Sequence, residues 1–338
     1  MEPRLDKRRL NVYTIREYGF RELFLVPRPY TYWMSNYKKE SESSATPSKG
    51  KVFLNRLLST IILWGIVLSP GFFHGDIVGD YLFLFLLMVI SFLGLSEFHL
   101  FSQARGIFCF RRLGQAGGLI LLGSTFFYLT GYWEYTAGNS RANDFETAIV
   151  VLFVLCLCTR QLFSKNHPAA LASISTTLFG FIYVPWLLNF IQKIYFFTGI
   201  SGIHYVFYFV LVTKFSDMGG YVVGSLIGRH KVIPRVSPGK TWEGLAGALL
   251  FSVGGSVLFF TLDKANLTEM NMLDAIGLGV ILSVAAVIGD LIESLFKREV
   301  GIKDSGKFFP GIGGILDLLD SILFNAPIMY LYLRHVIM

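Results

Sequence analysis

What most restricts the fold of this chain is a succession of apolar stretches long enough to cross a bilayer. A spanning helix needs about 20 mostly apolar residues. Nine segments meet that measure, at roughly 53 to 73, 81 to 101, 114 to 133, 145 to 163, 172 to 196, 204 to 226, 244 to 262, 272 to 292 and 314 to 334. Gly117, Gly118, Gly123 and Gly131 thin the third segment and Pro185 interrupts the fifth, so counts of eight or ten stay open. With 53% hydrophobic residues, 16% charged and 32 Phe, the chain carries more apolar surface than one soluble core of 338 residues would need. The expected fold class is all-α, a polytopic transmembrane helical bundle of about nine spans.

Charge in the loops orients the bundle. With the N-terminus on the cytoplasmic side, Arg105, Arg111, Arg112, Arg160, Lys165, Arg229, Lys231, Arg235, Lys240, Lys297, Arg298, Lys303 and Lys307 share that side, thirteen cations in all. Only Arg141, Lys264 and Arg334 fall in the opposite loops and tail. The positive-inside rule therefore puts these cation-rich loops on the cytoplasmic side, and nine spans would leave the C-terminus outside. Residues 1–51, with eleven Lys or Arg, form a basic cytoplasmic segment ending in the linker-like stretch Ser41 to Gly50. Two readings apply to it: contact with anionic lipid through Lys7, Arg8 and Arg9, or a solvated tail. Residues 52–204 then form the N-terminal helices and 205–338 a C-terminal catalytic region. Cys109, Cys156 and Cys158 show no metal or redox spacing and are expected to be packing residues, while only His230 among the six histidines lies in a candidate loop.

Chemistry concentrates near the C-terminus. From Ser294 to Asp320 the chain holds four cations, three aspartates and a glycine turn between two apolar runs. A charge at bilayer depth costs about 2.5 kcal/mol or more, so such groups should face a wet, protein-lined cavity. Lys and Arg suit phosphate and Asp suits Mg²⁺. Asp290, Glu293, Ser294, Lys297 and Arg298 follow one another at i, i+3, i+4, i+7 and i+8, which puts them on one helix face. Asp317 and Asp320 repeat the pattern at the start of the last span, where they either bind a divalent metal or complement the helix dipole.

An earlier constellation joins Lys214, Asp217, Gly220, Tyr221 and Gly224, the last four on one face, with Gly220, Gly224 and Gly228 allowing close approach of another helix. Asp217 is read as a metal ligand lining a cavity, against the plainer reading of a buried ion pair with Lys214. In the loop that follows, Ser237 and Thr241 can bond phosphate or cap the next helix, and Lys240 offers a point charge to a triphosphate.

These residues resemble the integral-membrane phosphatidate cytidylyltransferases, the CDP-diacylglycerol synthases. The resemblance covers about residues 205 to 325. It rests on Asp217-x-x-Gly-Tyr221-x-x-Gly224, on Ser237-Pro-Gly-Lys-Thr-x-Glu-Gly244, on Gly289-Asp-x-x-Glu-Ser-x-x-Lys-Arg298, on Ile302-Lys-Asp-Ser-Gly306 and on Pro310-Gly-x-Gly-Gly-Ile-Leu-Asp317-x-x-Asp320. Two positions depart from the family signature: Ile312 stands where His is usual, and Leu318 where Arg is usual. The resemblance implies a helical bundle with a cytoplasm-facing polar cavity. There a phosphate oxygen of phosphatidate attacks the α-phosphorus of CTP and pyrophosphate leaves.

On that basis Asp217, Asp290, Asp317 and Asp320 are the expected Mg²⁺ ligands. Lys240, Lys297, Arg298 and Lys303 are expected to hold phosphate with Ser237 and Thr241, and Asp304 to act as a ligand or to organise Lys303. The expected partners are CTP, phosphatidate or a related lipid phosphate, and membrane lipids, with a homodimer left open and no nucleic acid. Alternatives are a CTP-dependent enzyme acting on another lipid phosphate or a lipid alcohol, a transporter, and a catalytically silent lipid-binding paralogue.

Overall fold

The computed structural model describes residues 77–131, 139–164, 169–300 and 314–337. The candidate span at 53 to 73 and the basic segment 1–51 lie outside these residues. Among the described residues eight segments are long and apolar enough to cross a membrane, so the count there is eight where nine were expected. They match the other eight candidates. The helices are α1 (Ile77–Ala104), α2 (Arg111–Thr130), α3 (Asn139–Leu162), α4 (Ala170–Phe181), α5 (Leu187–Tyr195), α6 (Gly202–Ile227), α7 (Trp242–Leu262), α8 (Met272–Val300) and α9 (Ile315–Ile337).

One span is shared by α4 and α5, which a π-helical turn at Ile182–Trp186 joins. Pro185 lies inside that turn and removes a backbone donor. The wider turn accommodates the missing donor, so the span continues instead of breaking. The glycines that thinned the third candidate have a packing reason. A Cβ on Gly117 would lie 2.5 Å from the Phe153 ring of α3, and one on Gly118 would lie 3.0 Å from Pro185.

With no water to drive helices together in a bilayer, small residues and interhelical polar contacts do much of the joining. A Cβ on Gly219 of α6 would fall 2.5 Å from the Gly247 carbonyl of α7. Ser216 and Ser283 link α6 to α8 at 2.9 Å, Tyr208 reaches Ser256 at 2.6 Å, and Asn325 donates to Thr213 at 2.6 Å. Val184, Leu188, Tyr205, Phe209, Leu282, Leu316 and Leu323 form the central cluster and are fully buried. Phe85, Leu152, Leu250 and Val284 stay exposed on the outer faces, as a lipid-bathed bundle requires.

A buried polar knot that the sequence reading did not single out ties α3 to α5. Lys193 pairs with Glu146 at 2.9 Å, both almost fully buried, and Asn189 donates to the same Glu146 at 2.7 Å. The Lys193 ammonium also sits 4.5 Å from the Phe190 ring centre and 4.2 Å from that of Tyr330 on α9. Desolvation is thereby offset by a counter-ion and by aromatic faces.

The stretch 231 to 241, expected as a loop, contains a two-stranded antiparallel hairpin of β1 (Lys231–Ile233) and β2 (Ser237–Thr241). It stands at the end of the bundle where α1, α3, α6 and α8 finish and α2, α4, α7 and α9 begin. Arg105 meets Glu299 there at 3.7 Å, and Arg160 lies 5.4 Å from the centre of the Phe110 ring. The described cations assigned to one side by their loops therefore gather at one end of the molecule.

Candidate active site

At that end the closing turns of α6 and α8, the hairpin, and the opening turns of α7 and α9 surround a polar cavity of about 580 Å³. Asp217, Gly220, Tyr221 and Gly224 line it from α6, the face that the sequence spacing predicts. Ser237, Lys240 and Thr241 line it from the hairpin, Asp290 and Lys297 from α8, and Asp317, Asp320 and Ser321 from α9.

Close helix approach makes this convergence. A Cβ on Gly289 would collide with the Asp320 carbonyl of α9, so only glycine lets Asp290 and Asp320 stand side by side. The glycine ladder of α6 does face another helix: a Cβ on Gly224 would lie 3.4 Å from Gly244 Cα of α7. Thr241 takes the capping role of its two expected options, its Oγ1 accepting from the Gly244 N–H at 3.1 Å. Glu243, in the first turn of α7, accepts from the Arg229 and His230 backbone N–H groups at 3.1 and 3.3 Å and pairs with the His230 ring at 2.6 Å. Those contacts fasten the hairpin. His230 is exposed and does not line the cavity.

The charged groups divide into linked pairs. Lys214 contacts Asp217 at 3.0 Å and approaches the Leu318 carbonyl at 3.5 Å. Lys240 reaches Asp290 at 2.7 Å and donates to the Val287 carbonyl at 3.2 Å. Lys297 is 2.8 Å from Asp317 and also pairs with Glu293, which is fully buried one turn earlier on α8. Ser321 joins the two metal candidates from different helices, donating to Asp320 at 3.1 Å and to Asp217 at 3.4 Å.

The four expected metal ligands are therefore not equivalent. Asp290, Glu293 and Asp320 can each offer one oxygen, with those oxygens all within 4.8 Å of one another. Asp317 spends one oxygen on Lys297 and the other on the Gly314 N–H, at 2.8 Å. Glu293, on the polar stripe of α8, is a candidate ligand beyond the four expected, and its i+3 spacing from Asp290 carries the signal. Arg298 is not among the residues lining the cavity, its Nε donating to the Val236 carbonyl at 3.1 Å. Lys303, Asp304, Lys307 and Ile312 lie outside the described residues. At Leu318, where the family signature has a cation, the Lys214 ammonium touches the backbone instead.

The cysteines stand apart from all of this. Cys109 is buried, and burial pushes its thiol up to about 11, which keeps it unreactive. Cys156 and Cys158 are exposed on α3, so the packing role expected for all three holds for Cys109 alone.

An all-helical membrane bundle with carboxylates and lysines converging on one polar cavity is the frame of an enzyme that handles charged groups at a membrane face. Residues 59–336 match the Cytidylyltransferase family. Over 206 residues the chain is 35% identical to the uncharacterized protein YnbB of Escherichia coli (strain K12), covering 57% of this chain and 65% of that one. It is 35% identical over 206 residues to a phosphatidate cytidylyltransferase of Staphylococcus haemolyticus (strain JCSC1435), covering 59% of this chain and 73% of that one. It is 33% identical over 238 residues to a phosphatidate cytidylyltransferase of Mycobacterium bovis (strain ATCC BAA-935 / AF2122/97), with coverages of 66% and 74%. The chain belongs to the cytidylyltransferase family, and it is an integral membrane protein.

Proposed function

We propose that the protein transfers the cytidylyl group of CTP to phosphatidate, releasing pyrophosphate and forming CDP-diacylglycerol. A phosphate oxygen of the lipid supplies the electron pair that forms the new bond to the α-phosphorus. The bond from that phosphorus to the bridging oxygen breaks, and pyrophosphate carries the pair away. Such a displacement asks the protein for alignment and charge neutralisation more than for covalent chemistry.

The observation that carries the reading is the charge balance of the cavity. Four carboxylates, Asp217, Asp290, Asp317 and Asp320, line it against two ammonium groups, Lys240 and Lys297, among the described residues. A bare triphosphate would be repelled by that excess of negative charge, so the nucleotide should enter with a divalent cation. The donors are hard oxygens, which suits Mg²⁺, and Asp290, Glu293 and Asp320 are the residues that would hold it. When bound it would neutralise charge on the phosphates and the leaving pyrophosphate.

Lys240 and Lys297 are placed to neutralise phosphate oxygens at the cavity wall. Tyr221 lines the cavity and is exposed, so acyl chains can remain in the bilayer while the headgroup enters. We place this end on the cytoplasmic side, because the cation-rich loops meet there.

Purified protein supplied with CTP, Mg²⁺ and a panel of lipid phosphates and lipid alcohols tests the substrate. Pyrophosphate should appear with phosphatidate. Release only with a different lipid phosphate would refute the substrate and keep the chemistry. CDP release with a lipid alcohol would make the protein a kinase.

A further inference from the structure

A carboxylate from the N-terminal half of the chain ends at the opening of α9. Glu97 lies on α1 within a membrane-length apolar run and is 9% exposed. Burying a carboxylate there is costly unless its charge is answered. Its Oε1 accepts from the Ile315 N–H at 3.0 Å and its Oε2 from the Leu316 N–H at 2.8 Å, across 218 and 219 residues of sequence. These are free donors of a helix N-terminus, where a negative charge is most favoured. Charge-assisted bonds of this kind are among the stronger ones a backbone can make.

Those two peptide groups immediately precede Asp317, and Asp320 follows one turn later. The same helix end is held from two further sides, by Lys214 on the Leu318 carbonyl and by the glycine contact of Gly289 with Asp320. Among these three restraints Glu97 alone comes from outside the region that carries the family's motifs. We infer that Glu97 is a positioning residue for the proposed cytidylyl transfer: it fixes the rotation and depth of the first turn of α9, and so the aim of Asp317 and Asp320 into the cavity. The inference rests on the reading of the cavity as the cytidylyl-transfer site.

Glu97→Gln keeps the shape of the side chain but offers one acceptor oxygen and turns an NH₂ toward the second N–H donor. Its counterpart as a control is Thr177→Val, which removes the bond from the Phe110 N–H to Thr177 Oγ1, 2.9 Å, at the opening of α2. Two readouts are needed. In hydrogen exchange, a peptide covering 314 to 321 should exchange faster in Glu97→Gln than in the unaltered protein, with peptides from α6 and α7 unchanged. In turnover, kcat should fall about 10- to 100-fold, the range typical of outer residues that orient reactive groups, with KM for CTP within about twofold.

Thr177→Val should lower thermal stability and leave kcat within about twofold. Glu97→Asp, with two oxygens on a shorter stem, should fall between the unaltered protein and Glu97→Gln, and serves if the latter does not fold. Faster exchange with unchanged kcat would overturn the positioning role, as would a kcat loss without any change in exchange. Equal losses of kcat in Thr177→Val would reduce Glu97 to a general stabiliser. If the unaltered protein fails to turn over phosphatidate, the substrate reading falls, and the exchange result still decides whether Glu97 orders the start of α9.

Discussion

Asp320→Asn should lower pyrophosphate release by about 10³-fold or more, because removing one ligand charge from a catalytic ion site forfeits several kcal/mol of transition-state stabilisation. Asp320 is 6% exposed, and its carboxylate meets the Ser321 N–H at 2.5 Å and the Ser321 hydroxyl at 3.1 Å. Asparagine can keep those bonds through its own carbonyl oxygen, so the fold should survive. Asp317→Asn should behave differently. Its oxygens serve Lys297 and the Gly314 N–H, and the amide can still cap the helix. A loss of about 10-fold is expected there, close to what weakening one charge-assisted bond entails. Comparing kcat of the two variants at saturating CTP and Mg²⁺ checks the division. Equal losses would place Asp317 among the ligands, and near-normal turnover of Asp320→Asn would remove the ion site altogether.

Lys240→Gln should reduce kcat/KM for CTP by about 10- to 100-fold, corresponding to roughly 1.5 to 3 kcal/mol for hydrogen bonds to a charged group. The Lys240 side chain is only 18% exposed, yet it lines the cavity. In the structure its ammonium answers Asp290 and the Val287 carbonyl. In the proposed complex the same charge answers the triphosphate, and glutamine can donate to one oxygen without bringing any charge. Initial rates across a CTP series provide the measurement. An effect confined to kcat, with KM for CTP unmoved, would mean that Lys240 acts through Asp290 and not on the bound nucleotide.

Much of this site was legible because helical spacing is rigid. Asp217 with Gly220, Tyr221 and Gly224, and Asp290 with Lys297, could be placed on cavity-facing stripes from their numbers alone. What spacing cannot supply is the neighbour across the gap. Asp317 and Asp320 share a face, but only the packing of α8 on α9 gives Lys297 to the first and groups Asp290 and Glu293 with the second. Glu97 and the Glu146–Lys193 pair were invisible for the same reason. Glu97 and Lys193 are each a single charge in an apolar run, and nothing local names a partner that is 47 or more residues away. Pro185 marked an interruption, yet whether a span breaks or widens into a π turn depends on the helices around it.

The central claim is that the cytidylyl group, and not a terminal phosphoryl group, moves to the lipid. Two preparations of CTP, one labelled at the α-phosphorus and one at the γ-phosphorus, supplied with phosphatidate and Mg²⁺, test it most directly. The α-label should enter the lipid fraction one for one with pyrophosphate released, and the γ-label should leave with the pyrophosphate. Recovery of the γ-label in lipid, with CDP as the soluble product, would contradict the account.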